Sequence, residues 1–102
     1  MNHDRILSML GLAKRAGKIA DGQFQTEAAL KQGKAFLVIV AEDASENTRK
    51  KFSDMSSYRK VPFYLYSDRE RLGRSIGCEL RSCAAVTDAS FAGAIEKQLK
   101  EK

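Results

Sequence analysis

The chain has 102 residues, 43% of them hydrophobic and 30% charged, and its 18 basic against 13 acidic side chains leave a formal net charge of +5. That balance excludes a disordered tail, and the length allows one domain with its own core but not two, so residues 1–102 are read as a single unit that folds alone. The longest apolar run is seven residues, far short of the roughly 20 needed to span a bilayer, and no charged-then-apolar leader opens the sequence, so a cytoplasmic protein that meets no membrane is expected.

Residues 2–16 place Ile6, Leu7, Leu10 and Ala13 at helical spacing, with Lys14 and Arg15 in the last turn and Gly17 as the stop, and His3 falls at the start of this helix. Residues 18–22 read as a brief edge strand turning at Asp21 and Gly22. A second helix follows over 23–32, with Phe24, Ala28 and Leu30 as its apolar contacts and Gly33 closing it. Residues 35–43, AFLVIVAED, then run apolar for seven positions without alternation. Such a run fits a strand buried on both faces, with helices covering each side.

Asp43, Ala44, Ser45 and Glu46 open a helix to residue 58, with an aspartate or serine cap and Phe52, Met55 and Tyr58 on its inner face. Residues 61–66, VPFYLY, form the next strand, entered through Pro62. A capping box at 67–70 starts a short helix that ends near Gly77. Residues 83–87 form the last strand, and Asp88 caps a final helix carrying Phe91, Ile95 and Leu99. Strands alternating with helices predict an α/β fold: a three-layer α/β/α sandwich around a mostly parallel four-stranded sheet.

The chemistry available is narrow. Cys78 and Cys83 are the only thiols, a lone pair five apart that is neither a CxxC redox motif nor half of a convincing zinc site; with His3 as the sole histidine, metal chemistry and histidine acid catalysis have almost no material to work with. There is no glycine-rich phosphate cradle and no GxSxG elbow, so a non-enzymatic protein without cofactor is expected. Acids do recur at strand ends, at Glu42 and Asp43, Asp68 and Asp88. Converging carboxylates could hold magnesium, but each position also suits the N-cap of the following helix, which is the plainer reading.

The basic residues point elsewhere. Lys14, Arg15 and Lys18 cluster at the end of the first helix, and Arg69, Arg71, Arg74 and Arg81 gather around the fourth. Four arginines and no lysine across residues 69–81 favour bidentate phosphate contacts and base stacking over a merely solvated face. A polyanionic partner follows, and with it a dependence on salt.

The runs GKAFLVIVAEDASENTRKKF, VPFY, RLGRSIGCELR and AVTDASFAGAI together resemble the bacterial YlxQ-type proteins, members of the superfamily of kink-turn-binding ribosomal proteins. The resemblance extends from Leu10 to Ile95. It implies non-catalytic binding of structured or ribosomal RNA, in a ribosome-associated or RNA-processing role, by a chain that is monomeric when free. One half of such an RNA surface is a GxNExxK signature at the start of the second helix. Here it aligns with Gly22, Gln23, Phe24, Gln25 and Ala28, so only the glycine is kept, and Phe24 reads either as a packed, staple-like residue or as an exposed stacking platform.

The other half is the loop after the fourth helix, which supports an unstacked nucleotide; it corresponds to Leu72, Gly73, Gly77, Cys78, Glu79, Leu80 and Arg81. The resemblance therefore implies that Gly73 and Gly77 permit close backbone approach and that Leu80 shields a base, the local alternatives being helix-end glycines and a core leucine. Arg74, Arg81 and Lys34 would hold phosphates. The rival reading is a protein-interaction module on ribosomal or RNA-processing proteins, favoured by the apolar Phe24 and Ala28 where polar readers would stand.

Overall fold

The computed structural model describes residues 4–101. Within them the order is α1 (Arg5–Arg15), β1 (Ile19–Asp21), α2 (Gly22–Lys31), β2 (Leu37–Val40), α3 (Glu46–Arg59), β3 (Phe63–Leu65), α4 (Arg69–Ser75), β4 (Cys83–Val86) and α5 (Ala89–Lys100). Asn2 and His3, assigned to the first helix by spacing, lie outside the described residues.

The middle of the seven-residue apolar run, Leu37–Val40, forms a strand buried on both faces, whereas Phe36 just before it is exposed. Leu37 and Ile39 of β2 point into one core with α1, α4 and α5, built on Ile6, Leu10, Leu72, Ile76, Ile95 and Leu99. Val38 and Val40 point into the other with α2 and α3, built on Leu30 and Phe52. Strand β4 divides likewise, Ala84 and Val86 to the first core, Cys83 and Ala85 to the second. The period of two places helices on both sides.

The sheet is not mostly parallel. Its order is β1-β4-β2-β3; β2 pairs with β3 in parallel, but β4 runs antiparallel to both β1 and β2. Three strands do share one direction, as alternating elements suggest. The fourth is reversed and sits between two of them, so its inversion turns two of the three ladders antiparallel. That reversal has a positional consequence: the start of β4 meets the carboxyl ends of its neighbours, with Ala84 opposite Asp21 and Cys83 opposite Val40. The loop entering β4 is thereby carried to the edge where β1 turns into α2.

The caps are local and mostly legible. Asp4, Ser45, Asp68 and Asp88 each accept from a first-turn amide of α1, α3, α4 and α5. Asp43 is a correction, because Ser45 caps α3 while Asp43 accepts from the Arg69 amide at 2.9 Å and ties the β2–α3 loop to α4. Tyr58 is a second correction: α3 buries Thr48, Phe52 and Ser56, a stripe rotated away from Tyr58, whose exposed ring lies beside Arg59.

Tyr66 joins the end of the sheet to α1. Its buried hydroxyl donates to Asp4 Oδ2 at 2.7 Å while Asp4 Oδ1 accepts from the Leu7 amide at 2.9 Å. Burial first, then the Asp4 hydrogen bond and the Asp4 and Glu42 charges, push the phenol up to about 12. An unfolded tyrosine ionises near 10, so this group's contribution to stability is whole below about pH 10 and is lost as pH rises through about 12. The urea midpoint of Tyr66→Phe is expected to fall less steeply between pH 9 and 12 than that of the unaltered chain, though from a lower start; parallel slopes would contradict the assignment.

Candidate nucleic-acid interface

The reversed strand brings two segments distant in sequence against each other. The β1–α2 turn contributes Asp21, Gly22, Gln23, Phe24 and Gln25, and the α4–β4 loop contributes Leu80, Arg81 and Ser82, around a shallow cleft of about 410 Å³. Asp21 is the fastener. Its carboxylate, 11% exposed, accepts from Arg81 Nε at 3.0 Å on one oxygen and pairs with Lys14 Nζ at 2.5 Å on the other. Burial alone would raise this carboxyl, but the hydrogen bonds from Lys14 and Arg81 outweigh it and hold Asp21 below its ordinary range. Asp21 in turn raises Arg81.

Because both Asp21 oxygens are engaged, α2 begins without a side-chain cap, unlike the other four described helices. Gly22 starts it at φ +86°, a left-handed conformation that a side chain would strain. The uncapped first-turn amides and the positive helix end thus lie in the cleft wall. Arg81 lends further donors: Nε binds Asp21 and Nη1 binds the Leu80 carbonyl at 2.8 Å, while the rest of its five N–H groups have no partner among the described residues.

The α4–β4 loop is held from beneath. The Arg81 amide donates to the Arg69 carbonyl at 3.1 Å and the Cys78 amide to the Gly73 carbonyl at 2.8 Å. A Cβ on Gly73 would stand 2.3 Å from the Glu79 carbonyl oxygen, so this glycine is what lets the loop lie on the helix. Leu72 and Gly73 are themselves buried. The close approach at Gly73 is to the protein's own backbone, and neither residue can touch a ligand.

The other expected site residues divide. Gly22, Gln23, Phe24, Gln25, Leu80 and Arg81 line the cleft. Glu79 and Gly77 are exposed on the adjoining loop. Arg74 faces a different groove, between α4 and α1, and Lys34 lies past the far end of α2, about 15 Å of helix from Gly22. Phe24 is not a packed residue: it is 86% exposed, because α2 turns Thr26, Ala29 and Leu30 inward instead. Leu80, 55% exposed, is not a core leucine. Asp21 and Ser82 were not expected in the site, since an aspartate ahead of a helical glycine has the look of an ordinary cap, and no local pattern announces a partner 60 residues away.

Among the described residues no group of three His, Cys, Asp or Glu side chains could hold a metal, and no helix is long and apolar enough to cross a membrane. Cys78 and Cys83 are free thiols, and burial pushes Cys83 up to about 11, which keeps it protonated and unreactive.

Comparison with known proteins agrees with this architecture. The chain is 46% identical to the RNA-binding protein YlxQ of Bacillus subtilis (strain 168) over 84 residues, 82% of this chain and 84% of that one. It is 44% identical to the RNA-binding protein YlxQ of Enterococcus faecium over 92 residues, 89% of this chain and 87% of that one. A solved structure of a protein of unknown function from Bacillus halodurans C superposes with a TM-score of 0.92 at 34% identity, covering 96% of this chain and 99% of the other. The Giardia lamblia 15.5kD RNA binding protein shares the fold with a TM-score of 0.82 at 17% identity, covering 99% of this chain and 92% of the other. Residues 4–95 match the family model of the ribosomal protein L7Ae/L30e/S12e/Gadd45 family, and to that family the chain belongs.

Proposed function

We propose that the chain binds structured or ribosomal RNA, without catalysis, in the cleft between the β1–α2 turn and the α4–β4 loop, and that it serves there in a ribosome-associated or RNA-processing role. The observation that carries this reading is the Asp21–Arg81 junction, which sets an uncapped helix N-terminus beside an arginine with open donors. Backbone amides at a helix start and a guanidinium fork are both phosphate ligands, and neither depends on base identity. Proteins named for RNA binding that match most of the chain support the same conclusion.

Recognition is mainly by shape. At the positions where the family signature would place asparagine, glutamate and lysine stand Phe24, Gln25 and Ala28, so hydrogen-bond readers of sheared G·A pairs are reduced to the amides of Gln23 and Gln25. Phe24 and Leu80 supply apolar surface for an unstacked base, and Arg81 the nearest phosphate contact. Kink-turn geometry is therefore not required by this site.

The experiment is a titration of the chain with a bulged hairpin RNA at 50 and 200 mM salt. Two or three phosphate contacts predict a loss of roughly 10- to 50-fold across that range, and Arg81→Gln should weaken binding and lower the salt slope by about one. No binding to the hairpin or to ribosomal RNA, or an affinity indifferent to salt, would overturn the proposal.

A further inference from the structure

A second hollow, of about 540 Å³, lies between α1 and α4 and shares no lining residue with the cleft. Helix α1 gives it one continuous stripe, Leu7, Ser8, Gly11, Leu12 and Arg15, about 12 Å long. Helix α4 faces that stripe with Arg71, Arg74 and Ser75. The two helices meet at the floor, where a Cβ on Gly11 would come within 2.8 Å of the Ser75 carbonyl oxygen.

The walls combine two chemistries. Leu12 is 53% exposed and Leu7 half-buried, so the α1 side carries two apolar side chains little more than a turn apart, with Ser8 and Arg15 beside them. Three guanidinium groups rim it. Arg15 has no carboxylate partner among the described residues, and Arg71 meets Asp68 only at 3.7 Å. Arg74 pairs with Glu70 at 2.6 Å, but both side chains stay largely in solvent, where such a pair is weak and exchangeable. The single acid of the lining, Asp4, already accepts from Tyr66 and from the α1 amide.

We propose that this groove docks an acidic amphipathic helix of a partner protein, so that the chain joins an RNA to a protein through two separate faces. Charge complementarity selects the partner: arginine forks match carboxylates bidentately, and a helix with acids flanking an apolar stripe meets both the rim and the floor. A third helix laid along two packed ones uses the ridges and grooves already present, and two turns fill the stripe. A sugar–phosphate backbone would use the arginines but leave Leu7 and Leu12 unmatched.

The test is fluorescence anisotropy with a labelled 15-residue peptide of glutamate and alanine carrying leucines at i, i+3 and i+7, against a peptide of the same composition in scrambled order. The intact chain is expected to bind the patterned peptide at least tenfold more tightly. Leu12→Gln and Arg15→Gln together, both keeping good helix formers in α1, should abolish that preference while leaving the chain folded and its affinity for the bulged hairpin unchanged, and saturating hairpin RNA should not displace the peptide. Equal binding of the two peptides would overturn the proposal. So would displacement by RNA coupled with weakened RNA binding in the double variant, which would make the groove part of the nucleic-acid footprint.

Discussion

Gly73→Ala is expected to lower the denaturant midpoint and to cost RNA affinity beyond what its loss of stability explains. The added methyl would stand 2.3 Å from the Glu79 carbonyl oxygen, 2.8 Å from that carbonyl carbon and 3.0 Å from the Arg81 amide nitrogen. All three atoms are backbone, so no side chain can swing aside. Either α4 or the loop must shift, at a cost of roughly 1–3 kcal/mol or more. The loop is the softer of the two, and moving it pulls the Arg81 amide off the Arg69 carbonyl and Arg81 Nε off Asp21. The control is Gly93→Ala in the interior of α5, where an added Cβ meets nothing within 4 Å. There alanine should stabilise by roughly 0.5–1 kcal/mol, by helix propensity alone. Denaturant melts and RNA titrations of both variants check the pair, and opposite signs for one chemical change separate packing from propensity. Equal effects on stability, or an unaltered RNA affinity in Gly73→Ala at temperatures where it is folded, would refute the role assigned to that contact.

What could be read from the sequence was what residues decide locally. The run through β2 had to be covered on both faces, since no choice of period spares an unbroken apolar stretch from water. The caps at Asp68 and Asp88 depend on amides three residues away, and both formed. The direction of β4 depends on nothing local: small apolar residues suit a buried strand in either orientation, and its insertion between β1 and β2 is decided by the whole packing. The cleft inherits that illegibility, because Asp21 and Arg81 meet only once β4 is reversed. On the inner face of α2 the hydrophobic pattern is right at Leu30 and wrong at Phe24, for a related reason. Phe24 and Ala28 share one stripe and Thr26, Ala29 and Leu30 another, and hydrophobicity favours the stripe with the aromatic ring. Small residues won because they let α2 lie close to the sheet, and Thr26 satisfies its buried hydroxyl on the Ala20 carbonyl at 3.3 Å. The aromatic ring was left outside.

That displacement makes Phe24→Ala the most discriminating variant in the cleft. A phenylalanine 86% exposed contributes almost nothing to the core, so the melting temperature should stay put, within about 0.5 kcal/mol of stability. RNA affinity should fall roughly tenfold, inside the ~1–3 kcal/mol that stacking one base on an aromatic ring contributes. Phe24→Tyr, which keeps a flat ring, should retain the affinity, and Phe24→Leu, which keeps apolar area without a π-face, should not. The check is a hairpin with 2-aminopurine at the bulge: stacking on the ring quenches its fluorescence on binding, and Phe24→Ala should bind what it still binds without that quench. If instead leucine serves as well as phenylalanine, the ring acts only as apolar cover alongside Leu80, and base stacking falls while RNA binding stands. If alanine changes neither affinity nor quench, the exposed ring belongs to a protein contact, and retention of a partner by nuclease-treated extract should then depend on Phe24. The three outcomes differ because stability is untouched in all of them, which is the practical advantage of a functional side chain that the fold does not use.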